Sequence, residues 1–171
     1  GAVACDSFLA NWGANVAVFT TREKEKFSPI ASKQLDILTG MGIHVQQVNE
    51  IEAPSILDLI IDGIIGYSLK GSPRGTASDL INWINRQPMP VLSLDLPSGL
   101  DASSGMIFQP VVKASATMTL ALPKKGFTEP GARAIAGELF LADIGVPPSL
   151  YEKIGFSVGP IFAESEILRI F

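Results

Sequence analysis

Apolar positions along the chain switch between two periods, and the switches mark out the elements. Cys5, Phe8, Leu9 and Trp12 fall at helical spacing with Gly13 behind them as a stop, which predicts a helix over residues 2 to 12. ANVAVFT (14 to 20) predicts a strand, and the charged TREKEKF that follows predicts a solvated loop. Ser28 and Pro29 supply an N-cap and a first-turn proline for a helix running through residues 30 to 42, whose glycines end it before a strand IHVQQV. ILDLIIDGIIG (56 to 66) is almost continuously apolar, the pattern of a strand covered on both faces in a parallel sheet, and YSLKGSPRG breaks it. TASDLINWINR (76 to 86) combines a Thr76 cap, an acidic first turn, apolar Leu80, Ile81 and Ile84, and Arg86 at the far end, all of which suit a helix and its dipole. PVLSLDL, ASATMTLALP (114 to 123) and GELFLADIG (137 to 145) predict three further strands, and PPSLYEKIG a short terminal helix. The alternation predicts an α/β fold, a three-layer, doubly wound domain with a mostly parallel sheet over residues 1 to 171.

Composition narrows the partners. A hydrophobic share of 47% is enough for a real core in 171 residues. Net charge is -4 with the basic residues scattered, so neither nucleic acid nor an anionic membrane is an expected direct partner. No apolar stretch approaches the roughly twenty residues of a bilayer span. A single cysteine, Cys5, excludes an internal disulfide framework and fits a reducing compartment, the cytoplasm or, for a eukaryotic source, the mitochondrion. The chain opens inside an element and without a methionine, so a segment upstream is expected.

In an open α/β sheet, ligands sit beyond the carboxyl ends of the strands. Four successive predicted strands end there in polar groups: Asp62 with GYSLKGSPRG, Asp95 with PSG, then PKKG, then Asp143 with IG. Each has an ordinary use as well. Asp62 can form a turn before Gly63, Asp95 can cap the turn at Ser98, Lys124 and Lys125 can be surface charges, and Asp143 can open a loop. Their coincidence at one edge points to a site. A carboxylate at the end of an apolar strand is partly desolvated, which raises its pKa and suits it to proton transfer unless a cation holds it ionised. Residues 66 to 75 hold three glycines, the composition of a loop whose backbone approaches a ligand, with Lys70 and Arg74 placed to meet phosphate. One histidine, His44, and one cysteine make no transition-metal cluster, and PSG is not a GxSxG elbow.

DLIIDGIIGYSLKGSPRG, VLSLDLPSGLDASSG, TMTLALPKKG and GELFLADIGVP, in that order, resemble the NAD(P)H-hydrate epimerase family, the YjeF N-terminal domain, over essentially the whole chain. The resemblance implies a Rossmann-like domain, a homodimer, that interconverts the R and S epimers of hydrated NADH and NADPH. It implies Asp95 as ligand contact and catalytic acid/base, Asp62 and Ser98 as ligands of a potassium ion, and substrate contacts from Gly66, Tyr67, Ser68, Leu69, Lys70, Gly71 and Ser72. The ion is expected to neutralise Asp62 while Asp95 stays free for proton transfer. Two departures stand out: the family's Asn/Gly-rich loop and N-terminal helix precede Gly1, and the family's usual bacterial G-[TS]-G is GYS here. The other reading is a non-catalytic dimerisation or scaffold domain of the same type that binds a nucleotide-like ligand. A small kinase is disfavoured by the lack of Walker spacing.

Overall fold

The structure, a computed structural model, describes residues 2–48 and 57–171. Its first unit is α1 (Ala2–Asn11), β1 (Val18–Thr20), α2 (Pro29–Gly40) and β2 (Val45–Gln47), with β1 and β2 paired in parallel. Ser28 caps α2 as expected, its Oγ accepting the Ala31 N–H at 3.3 Å, and Pro29 takes a first-turn position where no N–H is needed. Leu35 and Leu38 of α2 pack with Val18, and Val16, Phe27 and Ile43 close that cluster.

The second unit runs β3 (Ile60–Asp62), α3 (Thr76–Ile84), β4 (Val91–Leu94), β5 (Ala116–Leu120), α4 (Pro130–Ala136), β6 (Glu138–Ala142), α5 (Pro148–Lys153) and β7 (Ile167–Arg169). Its sheet has the order β3-β4-β5-β6-β7. β3 to β6 are parallel and β7 runs antiparallel to β6, so the carboxyl ends of four successive strands share one edge. This is the expected mostly parallel α/β fold. Leu80, Ile81 and Ile84 of α3 are buried, the latter two against Ile60, Val91 and Val112. Each such burial contributes roughly 1.5–3 kcal/mol, which outweighs the roughly 1 kcal/mol that α3 forgoes by lacking a side-chain cap. A further cluster of Leu96, Leu100, Ala102, Phe127, Ala132, Ala136 and Leu139 joins α4 to the turn that follows β4.

Several local expectations are corrected. The 56 to 66 run is strand only over Ile60–Asp62; residue 56 lies outside the described residues, and beyond Asp62 the chain turns as the aspartate carboxylate takes the Ile64 N–H. The 14 to 20 run is strand only over Val18–Thr20. Thr76 does not cap α3: the cap position is Gly75, at φ +54, and Arg86 lies beyond the last turn. α4 was not predicted, because seven residues opening PGA are too short to register a helical period. β7 was not predicted either; its pairing depends on β6 rather than on any alternation of its own. Among the described residues, no helix is long and apolar enough to cross a membrane.

Candidate active site at the carboxyl edge of the sheet

Asp62, the last residue of β3, is completely buried. Parallel register sets it opposite Ser93 of β4, whose hydroxyl donates to Oδ2 at 2.8 Å. The chain then leaves β4, turns through Leu96–Leu100 and brings Ser98 back onto the same carboxylate. The Ser98 N–H donates to Oδ2 at 2.8 Å and its hydroxyl to Oδ1 at 2.5 Å, while the Ile64 N–H reaches Oδ1 at 3.2 Å. Burial pushes the Asp62 carboxyl above its ordinary value, and the hydrogen bonds from Ser98, Ser93 and Ile64 pull against that rise. Ser98 Oγ also accepts the Ile65 N–H at 2.8 Å and lies 3.2 Å from the Ile65 carbonyl, so the same serine ties down the start of the glycine loop. Asp62 thus forms the turn suggested by its neighbour Gly63 and also anchors a second motif.

A carboxylate, a hydroxyl and a backbone carbonyl therefore converge around Ser98 Oγ, and among the described residues no cationic side chain pairs with Asp62. The set is all oxygen and carries one negative charge, the donor chemistry of a hard monovalent cation, but each Asp62 oxygen already takes two protein donors, so a cation bound there would displace some of them. Among the described residues, no group of three or more His, Cys, Asp or Glu side chains is placed to hold a metal.

Asp95 stands directly beyond β4, one strand along the same edge. Its backbone is left-handed at φ +70, a conformation that aspartate tolerates better than most residues, and its N–H still donates across to Met118 of β5 at 2.8 Å. The side chain points towards β5 as well. Oδ1 receives the Lys124 ammonium at 2.5 Å and the Leu120 N–H at 3.3 Å, with Thr119 Oγ1 at 3.5 Å. Asp95 is thus ion-paired through Oδ1, by a lysine and not by a bound cation. Among the described residues no hydrogen bond reaches Oδ2. Nor does Asp95 cap the turn at Ser98, since its oxygens are directed to β5 and Lys124.

The remaining predicted residues divide. Gly66–Ser72 begins just past Ile65 and contains a turn at Tyr67–Ser68; Tyr67, Ser68, Lys70 and Ser72 are exposed and Gly66, Leu69 and Gly71 half-buried. Asp143 is exposed and opens a loop by accepting the Gly145 N–H at 2.8 Å, and His44 is exposed away from this edge. Two residues were missed. Ser93 was read as part of an apolar strand, although a polar side chain interrupting VLSL is itself a signal of a buried partner. Lys124 belongs to the PKKG group that the sequence sets at this edge but not to the expected site residues, and its ordinary alternative as a surface charge does not hold, since only 20% of its side chain is exposed. Two hollows of about 290 and 330 Å³ lie elsewhere, one beside Thr20 and Gln47 and one between Tyr151 and Phe162, and none of Asp62, Asp95 and Ser98 lines either.

The family model described as YjeF-related protein N-terminus matches residues 1–126, which include Asp62, the glycine loop, Asp95, Ser98 and Lys124. The chain belongs to the YjeF N-terminal family. It is 36% identical over 156 residues to a protein of Dehalogenimonas lykanthroporepellens named NAD(P)H-hydrate epimerase, covering 91% of this chain and 61% of that one. A protein of Truepera radiovictrix with the same name is 37% identical over 162 residues, 95% of this chain and 70% of the relative. The chain thus spans less than two thirds of the Dehalogenimonas protein's length. The crystal structure of yeast YNL200c superposes with a TM-score of 0.80 over 98% of this chain and 71% of that one, at 22% identity, and shows the shared fold.

Proposed function

We propose that this YjeF N-terminal domain interconverts the R and S epimers of hydrated NADH and NADPH, an isomerase acting in repair of nicotinamide nucleotides. The observation that carries the reading is Asp95: a carboxylate with one oxygen held and the other open, at the edge where the Asp62–Ser98 knot and the Gly66–Ser72 loop meet. Relatives covering most of the chain bear the name NAD(P)H-hydrate epimerase, which supports it.

Epimerising the hydroxyl-bearing carbon of the hydrated ring requires its C–O bond to break and re-form, or the ring to open and close, with one proton given and one taken back. No electrons are exchanged. A single carboxylate performs both proton transfers if it first accepts the proton and then returns it to the oxygen or ring nitrogen concerned, and Asp95, ion-paired with Lys124 through Oδ1, offers Oδ2 for this in the role of base. Backbone N–H groups of the Gly66–Ser72 loop bind the substrate's phosphates, with Lys70 adding charge. Asp62 and Ser98 would hold a potassium ion in place of some of the donors that now meet the carboxylate, and its charge would balance the buried Asp62. The active form is a homodimer in a reducing compartment, the cytoplasm or the mitochondrion. Exposed Phe8 of α1 and Trp12 just beyond its end, their rings 6.3 Å apart, supply apolar surface for a second copy to cover.

The test is epimer exchange of hydrated NADPH by the full-length protein, followed by NMR, with potassium and then with choline as the monovalent cation. Exchange is expected with potassium and weaker ligand binding with choline. No exchange above the spontaneous rate removes the enzyme, and equal binding in both salts removes the ion.

A further inference from the structure

The Lys124 ammonium has three N–H donors, and the structure spends all three inside the protein: on Asp95 Oδ1 at 2.5 Å, on the Leu120 carbonyl at 2.9 Å and on the Leu122 carbonyl at 3.2 Å. None is left for a phosphate, so this lysine is not a ligand clamp. The backbone is bent to build this arrangement. Asp95 and Ala121, each the residue directly after a strand, are the two non-glycine residues with positive φ among the described residues, at +70 and +64. Such strain persists where the surroundings over-determine it, and it collects at functional sites.

Lys124 is also held from behind. Gly126 donates its N–H to Ala102 at 2.8 Å, and a Cβ on Gly126 would meet the Asp101 carbonyl at 2.5 Å, so the segment after Lys124 lies flat against the turn after Asp95. Both ends of the ion pair are therefore carried on one packed unit.

We propose that Lys124 is the positioning residue for Asp95: it locks the carboxylate through Oδ1 so that Oδ2 is the oxygen presented for proton transfer. The proposal deepens the epimerase reading and rests on it. A carboxyl free to rotate would offer either oxygen at varying distance, and small misplacements at a reacting centre are costly.

The test compares wild-type full-length protein with Lys124→Met, Lys124→Gln and Lys124→Cys in steady-state epimer exchange. Loss of the ammonium is expected to lower kcat on the order of a hundredfold with KM nearly unchanged, because no Lys124 donor reaches substrate. Aminoethylation of Lys124→Cys rebuilds an ammonium at lysine length and should restore most of kcat, with wild type treated alike to account for Cys5. Should Lys124→Met fail to unfold cooperatively, Lys124→Gln, which retains two donors, carries the comparison. Unchanged kcat, a loss confined to KM, or no recovery on aminoethylation overturns the proposal. Wild-type protein without exchange would instead remove the epimerase reading, and this proposal with it.

Discussion

A carboxylate withdrawn from water persists only if its lone pairs are met, and Asp62 has two donors on each oxygen. On each side one of the donors is a backbone N–H, from Ser98 on Oδ2 and from Ile64 on Oδ1, and neither can rotate away. Asp62→Asn therefore turns its NH2 towards a fixed donor whichever way the amide is flipped. Burial raises the Asp62 carboxyl, so removing the charge gives back some desolvation energy, but the opposed donors remain. The expected outcome is a loss of about 1–3 kcal/mol, read as a lower urea midpoint at unchanged m-value. An unaltered midpoint would show that the carboxylate is not the structural knot described.

At the scale of elements, the turn after β4 and the 3-10 turn Lys125–Thr128 behave as one piece. Glycines make the contact possible: a Cβ on Gly105, at φ +71, would meet the Gly126 carbonyl at 2.5 Å. Leu96, Leu100, Ala102 and Phe127 fill the space beneath. Asp101 stiffens the turn from outside, its Oδ1 accepting the Ser104 N–H at 2.8 Å, the Ser104 hydroxyl at 2.7 Å and the Ser103 N–H at 3.1 Å. The Ser104 N–H, helped by the Ser104 hydroxyl, holds the Asp101 carboxyl below its ordinary 3.8. A depressed folded-state value means that the contribution is complete above 3.8 and is lost as pH falls through the lower folded value. Urea unfolding of wild type and Asp101→Asn should differ by a constant amount from neutral pH down to that range, and the gap should close below it. A gap that widens on acidification contradicts the assignment of the turn to Asp101.

For the molecule as a whole, the edge was legible in the sequence because parallel βαβ connections put every strand's carboxyl end on the same side, so Asp62 and Asp95 follow from strand order alone. The apolar run before each aspartate announced a buried strand, and Ser28 with Pro29 announced a helix start. What stayed hidden depends on tertiary contact. Lys124 folds back onto Asp95 after a bend at Ala121, whose left-handed backbone nothing in ALPKKG declares. Ser93 is buried by its register with Asp62, and β7 exists through its pairing to β6. The epimerase reading joins these parts in one division of labour along the edge, with Asp62 and Ser98 for the cation and loop, Asp95 for the proton. The most direct test is Asp95→Asn in the full-length protein, with epimer exchange followed by NMR in potassium. The amide keeps the shape and removes the proton-accepting oxygen, so exchange should fall by roughly 10²–10⁴-fold while unfolding stays cooperative. Exchange at the wild-type rate in a folded variant would contradict Asp95 as the group that moves the proton.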